Sequence, residues 1–137
     1  MVQFAGGCMC GKVRYSGEAE PIFQGVCHCT SCQKLTGSAF SVVVAVPTPS
    51  LRIEGETKTF DGKGDSGNGI HFVFCPNCGS PVTDAADIMP NVTMKRAGTL
   101  DDTSWLKPAM EIYCDSKQHW VSLAGMAQSF PKMPGPG

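Results

Sequence analysis

The chain has 137 residues, 42% of them hydrophobic and 17% charged, with a formal net charge of −1. That is enough chain to bury one core, and its composition excludes a disordered tail. The eleven Lys and Arg residues are scattered, with only two Trp and two Tyr for base stacking, which excludes a nucleic-acid partner. The apolar run at residues 42–46 ends at Pro47 and is too short to span a bilayer, so no membrane partner is expected. Residues 1–7 lack the basic and apolar segments of a secretory signal, so a reducing cytoplasm is the expected location. Eight cysteines in such a compartment point to metal binding or chemistry, not to disulfides.

In chain order, residues 13–16 alternate as a strand does. Thr30 or Ser31 can cap a short helix that runs through Lys34 and Leu35 and stops at Gly37. Residues 39–46 are β-branched and nearly continuous, as in a strand buried on both faces. Residues 51–53 and 57–60 read as a short strand pair around Gly55. Residues 61–69 are rich in glycine, but no Gly-Lys-Ser/Thr ending or helix follows, so they read as a mobile loop. Residues 70–75 alternate into a cysteine turn, and residues 92–97 and 111–114 are further strands. Residues 101–104 form a turn or 3₁₀ segment before Trp105. The expectation is a mainly β single domain over residues 1–130 and a flexible tail over 131–137.

Seven of the cysteines fall into three groups: Cys8 and Cys10; Cys27, Cys29 and Cys32; Cys75 and Cys78. Cys75-Pro-Asn-Cys78-Gly79 is a zinc knuckle, which supplies two ligands and needs two more. In an extended segment Cys8 and Cys10 project to one side, so the two half-sites combine into a closed four-cysteine structural zinc site. Cys27, Cys29 and Cys32 supply three thiolates and leave a coordination position free, the usual mark of a reactive zinc. His28, between two same-face ligands, points away as a packing or hydrogen-bonding residue. Three thiolates make the zinc a weak Lewis acid but a good host for another thiolate, which points to a small thiol and to C–S bond formation or cleavage. The alternative is that Cys114 supplies the fourth thiolate, making both zincs structural and the protein a non-catalytic binding module. In a strand, Cys114 is otherwise a small buried hydrophobe.

With these groups laid out, the chain resembles the glutathione-dependent formaldehyde-activating enzymes, a family sharing its domain with centromere protein V. The resemblance runs through residues 7–15, 27–32, 36–40 and 74–81, with a closing segment around Trp120 after Lys117. It implies an Mss4-like β-tent stabilised by a structural zinc on Cys8, Cys10, Cys75 and Cys78. It also implies a second, weakly held catalytic zinc on Cys27, Cys29 and Cys32. The implied activity is a carbon–sulfur lyase's, forming S-hydroxymethylglutathione from glutathione and formaldehyde. Two positions depart from the family pattern: Gln33 stands where relatives commonly carry Arg or Lys, and Glu111 where many carry His. Lys34, Lys58, Lys63, Lys95 and Arg96 could compensate, but are read as solvated surface charges.

Overall fold

Short runs of β-branched and aromatic residues, punctuated by glycine and proline, favour strands over helices. The computed structural model of the protein describes residues 1–64 and 67–134. In chain order its strands are β1 (Val2–Gly7), β2 (Arg14–Ala19), β3 (Phe23–Cys27), β4 (Ser41–Pro47), β5 (Leu51–Glu54) and β6 (Lys58–Lys63). They continue with β7 (Gly69–Phe74), β8 (Pro81–Ala86), β9 (Val92–Arg96), β10 (Met110–Ile112) and β11 (Gln128–Ser129). A seven-residue helix, α1 (Thr30–Thr36), follows β3. The fold is mainly β, as the sequence implies.

The strands form two sheets. One is three-stranded, in the order β1-β2-β5, and the other eight-stranded, in the order β11-β10-β3-β4-β9-β8-β7-β6. All pairings are antiparallel except those of β10, which runs parallel to both β3 and β11. Strand β4 sits at the middle of the large sheet and is covered on both faces, as its unbroken apolar character requires. Its Val44 and Val46 pack against Phe4, Val13 and Tyr15 of the small sheet's hairpin, together with Val82 and Leu100. Its Val43 faces the other way, toward Cys27, Cys32 and Ile112. Each fully buried valine contributes about 1.5 kcal/mol or more, so β4 anchors two cores at once.

Several expectations need correction. Residues 51–53 and 57–60 are strands but do not pair with each other: β5 joins β2, and β6 joins β7 in the other sheet. Gly55 is where the chain leaves one sheet for the other. Its φ of 103° favours glycine, and any Cβ there would collide with the carbonyl of Lys12. Cys8 and Cys10 do not lie in an extended segment. They sit in the β1–β2 turn, where Gly11 takes a φ of 81°. The cap of α1 is Cys29, whose sulfur accepts from the Cys32 N–H, while Gly37 ends the helix at φ 64° as expected. Strands β1, β3, β8 and β11 are not expected from the sequence.

Lys95 and Arg96 are not surface charges. They lie on β9, an inner strand between β4 and β8; successive side chains point to opposite faces, and both are buried, so both faces are covered there. Lys95 Nζ lies 3.8 Å from the centre of the Phe4 ring. Of the glycine-rich loop, residues 61–63 belong to β6, and residues 65 and 66 lie outside the described residues. Residues 135–137 of the expected tail also lie outside them, whereas Pro131 and Lys132 carbonyls accept hydrogen bonds from the Asp115 and Tyr113 amides.

Candidate metal centres and the cavity beside them

The β1–β2 turn and the β7–β8 turn meet at the junction of the two sheets, and each carries two cysteines. The knuckle at Cys75 is shaped by backbone bonds: Gly79 N–H donates to the Cys75 carbonyl at 2.8 Å, and Cys75 N–H to the Ser80 carbonyl at 3.0 Å. Met9 N–H reaches across to Ser80 Oγ at 3.0 Å and locks the turns together. The Cys8, Cys10, Cys75 and Cys78 sulfurs all lie within 4.8 Å of one another. Cys8 and Cys10 are 3.6 Å apart and Cys10 and Cys75 3.8 Å. Zinc–sulfur bonds of about 2.3 Å arranged tetrahedrally put neighbouring sulfurs about 3.8 Å apart, so this cluster fits zinc. The Ser80 hydroxyl and amide hold the Cys78 thiol down to about 5.

The second cluster forms where β3 runs into α1. Cys27, Cys29 and Cys32 also lie within 4.8 Å of one another, and no fourth His, Cys, Asp or Glu joins them among the described residues. Crowding sets the thiols against each other. The Cys27 and Cys32 thiols hold Cys29 down to about 3, while Cys29 pushes Cys27 up to about 12 and both neighbours push Cys32 up. Three such sulfurs become anions together only beside a cation, so the donor set of this cluster also suits a soft divalent metal.

The loop is braced from behind by residues far along the chain. His28 is fully buried; its Nε2 donates to Glu111 Oε1 at 2.9 Å, and its ring packs edge-on to Phe40. Glu111 also accepts from Lys117 Nζ at 2.9 Å and Ser129 Oγ at 2.8 Å. Burial works against its charge, yet these three donors hold the Glu111 carboxyl down to about 2. Gln33 Nε2 donates to the carbonyls of His28, at 2.7 Å, and Ser116, at 3.0 Å, and Gln118 Nε2 donates to Gln33 Oε1. Gln33 and Glu111 are therefore the braces of the cysteine loop. Spacing along the chain gives no hint of this, because the partners are 83 residues apart.

Cys114 does not extend the strand. Tyr113 takes a φ of 55°, the chain turns into a 3₁₀ segment, and Cys114 is half-buried beside His28 and Glu111, outside the three-cysteine group. The closed site of the binding-module alternative is therefore not formed through Cys114.

The three cysteines form part of the wall of a cavity of about 260 Å³. Asp84 and Arg96 are its only charged lining residues among those described. They form a buried ion pair, Arg96 Nη2 to Asp84 Oδ2 at 2.6 Å, each side chain 6% exposed. Arg96 Nε is buried without a hydrogen-bond acceptor.

Fold and site together define a small β domain whose clustered cysteines could hold metal beside a cavity. The family model of the glutathione-dependent formaldehyde-activating enzymes matches residues 3–116, and the chain belongs to that family. A crystal structure of a Rhodobacter sphaeroides protein from a structural-genomics programme shares the fold. It has a TM-score of 0.58 at 18% identity, covering 71% of this chain and 87% of that one. No curated protein matches the sequence. No helix among the described residues is long and apolar enough to cross a membrane.

Proposed function

We propose that the protein is a zinc-dependent carbon–sulfur lyase that joins a small thiol to an aldehyde carbon, as the family's name implies for glutathione and formaldehyde. The observation that carries this reading is the three-sulfur cluster, with no fourth protein ligand among the described residues, in the wall of a cavity. Cys8, Cys10, Cys75 and Cys78 hold a structural zinc, and Cys27, Cys29 and Cys32 hold the second, more weakly held one. When bound there, zinc supplies a positive charge that favours the deprotonated form of an incoming thiol.

The chain's own groups do the rest. Cys27, Cys29 and Cys32 fix where the incoming sulfur sits, and the Glu111–His28 and Gln33 bonds hold the loop that carries them. The substrate sulfur's lone pair forms the C–S bond, the C=O π pair moves to oxygen, and the proton released by the thiol ends on that oxygen. Arg96, ion-paired to Asp84 in the lining of the same cavity, is the positive group near the oxygen as it becomes negative. Asp84 holds the guanidinium and keeps its charge local.

The test couples metal content to turnover. Zinc per chain is measured before and after mild chelation, and hydroxymethyl-thiol formation is followed by NMR. The expected result is two zincs falling to one, with turnover lost at the same step and absent in Cys29→Ser. A cluster that loads zinc but gives no thiol adduct above the uncatalysed rate overturns the reading.

A further inference from the structure

A thiol bound at the three-cysteine cluster must put the substituent on its sulfur into the adjoining cavity. The walls of that cavity are apolar: Phe23, Phe72, Met94 and Ile112 line it, and Ile22 and Ile88 stand at 57% and 61% exposure in the same lining. Large aliphatic side chains so exposed beside a cavity indicate what it is built to cover.

Charge points the same way. Three thiolates around a divalent ion leave one net negative charge, and the incoming thiolate adds another. Asp84 and Arg96 neutralise each other, and no Lys or His lines the cavity among the described residues. A thiol bearing carboxylates would meet a negative, apolar site without a free cation to receive them, at a desolvation cost that nothing offsets.

We propose that the thiol handled at this site is an apolar one, an aryl or alkyl thiol, and not a carboxylate-bearing peptide thiol. The proposal rests on the reading that a guest thiol enters at the Cys27, Cys29 and Cys32 cluster.

Full-length protein loaded with Co²⁺ reports the guest directly, because the thiolate-to-cobalt and d–d bands change when a fourth sulfur enters. The probes are 2-phenylethanethiol, glutathione and the alcohol 2-phenylethanol. The expected result is that the apolar thiol changes the bands at a concentration at least about tenfold below glutathione. The alcohol leaves them unchanged, and Cys29→Ser abolishes the response. Ile88→Glu, at an exposed position that tolerates charge, weakens the apolar thiol about threefold or more, while Ile88→Leu does not. Glutathione binding as tightly as the apolar thiol, or an unchanged Ile88→Glu, overturns the substrate class and leaves the thiol-binding reading intact. Silence from both thiols in cobalt-loaded protein overturns that reading itself.

Discussion

The two cysteine clusters present the same atoms in different settings. At the sheet junction, four sulfurs from two tight turns surround one point, and their neighbours are the core residues Val13, Tyr15 and Val82. Beside α1, three sulfurs from one short loop share a wall with an apolar cavity and a buried Arg–Asp pair. Ligand chemistry alone does not separate them. What separates them is the number of chain segments each ties together and what lies on the far side of the metal position. A cluster that joins distant segments stabilises the fold, and one drawn from a single loop leaves its metal free to serve a guest.

That contrast is open to direct attack. The largest effect is expected from Cys75→Ser, which breaks the tie between turns 65 residues apart. It should cost about 4 kcal/mol or more and flatten the cooperative thermal transition followed by circular dichroism. A melting curve like the parent's would mean that the four-cysteine cluster is not structural. Cys29→Ser should do the reverse, lowering turnover at least about 100-fold while Tm moves by no more than about 4 °C. Equal destabilisation by the two variants would erase the distinction.

Glu111→Ala sharpens the comparison from outside both clusters. Removing the carboxylate leaves Lys117 and His28 without their partner, at a cost of about 3 kcal/mol by urea denaturation. Metal affinity of the three-cysteine loop should fall about tenfold or more, with the four-cysteine cluster unaffected. Parallel losses at both clusters would show that Glu111 supports the whole fold and not the loop. The smallest effect is expected at His71, which bridges Asp61 and Asp87 at 2.7 Å on either side, away from both clusters. Those carboxylates raise its proton affinity above the ordinary value of 6.5. Its contribution is therefore complete below about 6.5 and fades as pH rises through the folded-state value. Tm curves of the parent and His71→Gln should separate in acid and converge in alkali, with metal content unchanged throughout.

The sulfur pattern was legible because a metal knuckle is local chemistry: Cys75, Cys78 and Gly79 announce a turn by spacing alone. The continuous strand at β4 was legible for a similar reason, since Val42, Val43 and Val44 admit no wet face. Other features depend on distant partners. The brace on the loop joins Gln33 to Ser116 and His28 to Glu111, and no periodicity records such pairs. Lys95 and Arg96 look like surface residues until the strand that carries them is placed between two others. The cavity was hidden for the same reason, being assembled from residues as far apart as Ile22 and Met94.

The 83-residue separation between His28 and Glu111 also bears on how the molecule is made. Chains leave the ribosome N-terminus first, at about 5–20 residues per second, so Cys27, Cys29 and Cys32 emerge seconds before Glu111 exists to secure them. During that interval the three thiols are open to oxidants and to stray soft metals. The partners of the other cluster are complete once Cys78 has emerged, well before synthesis reaches Glu111. Nascent chains should therefore acquire their first ion at the sheet junction, and the site beside α1 should ripen last.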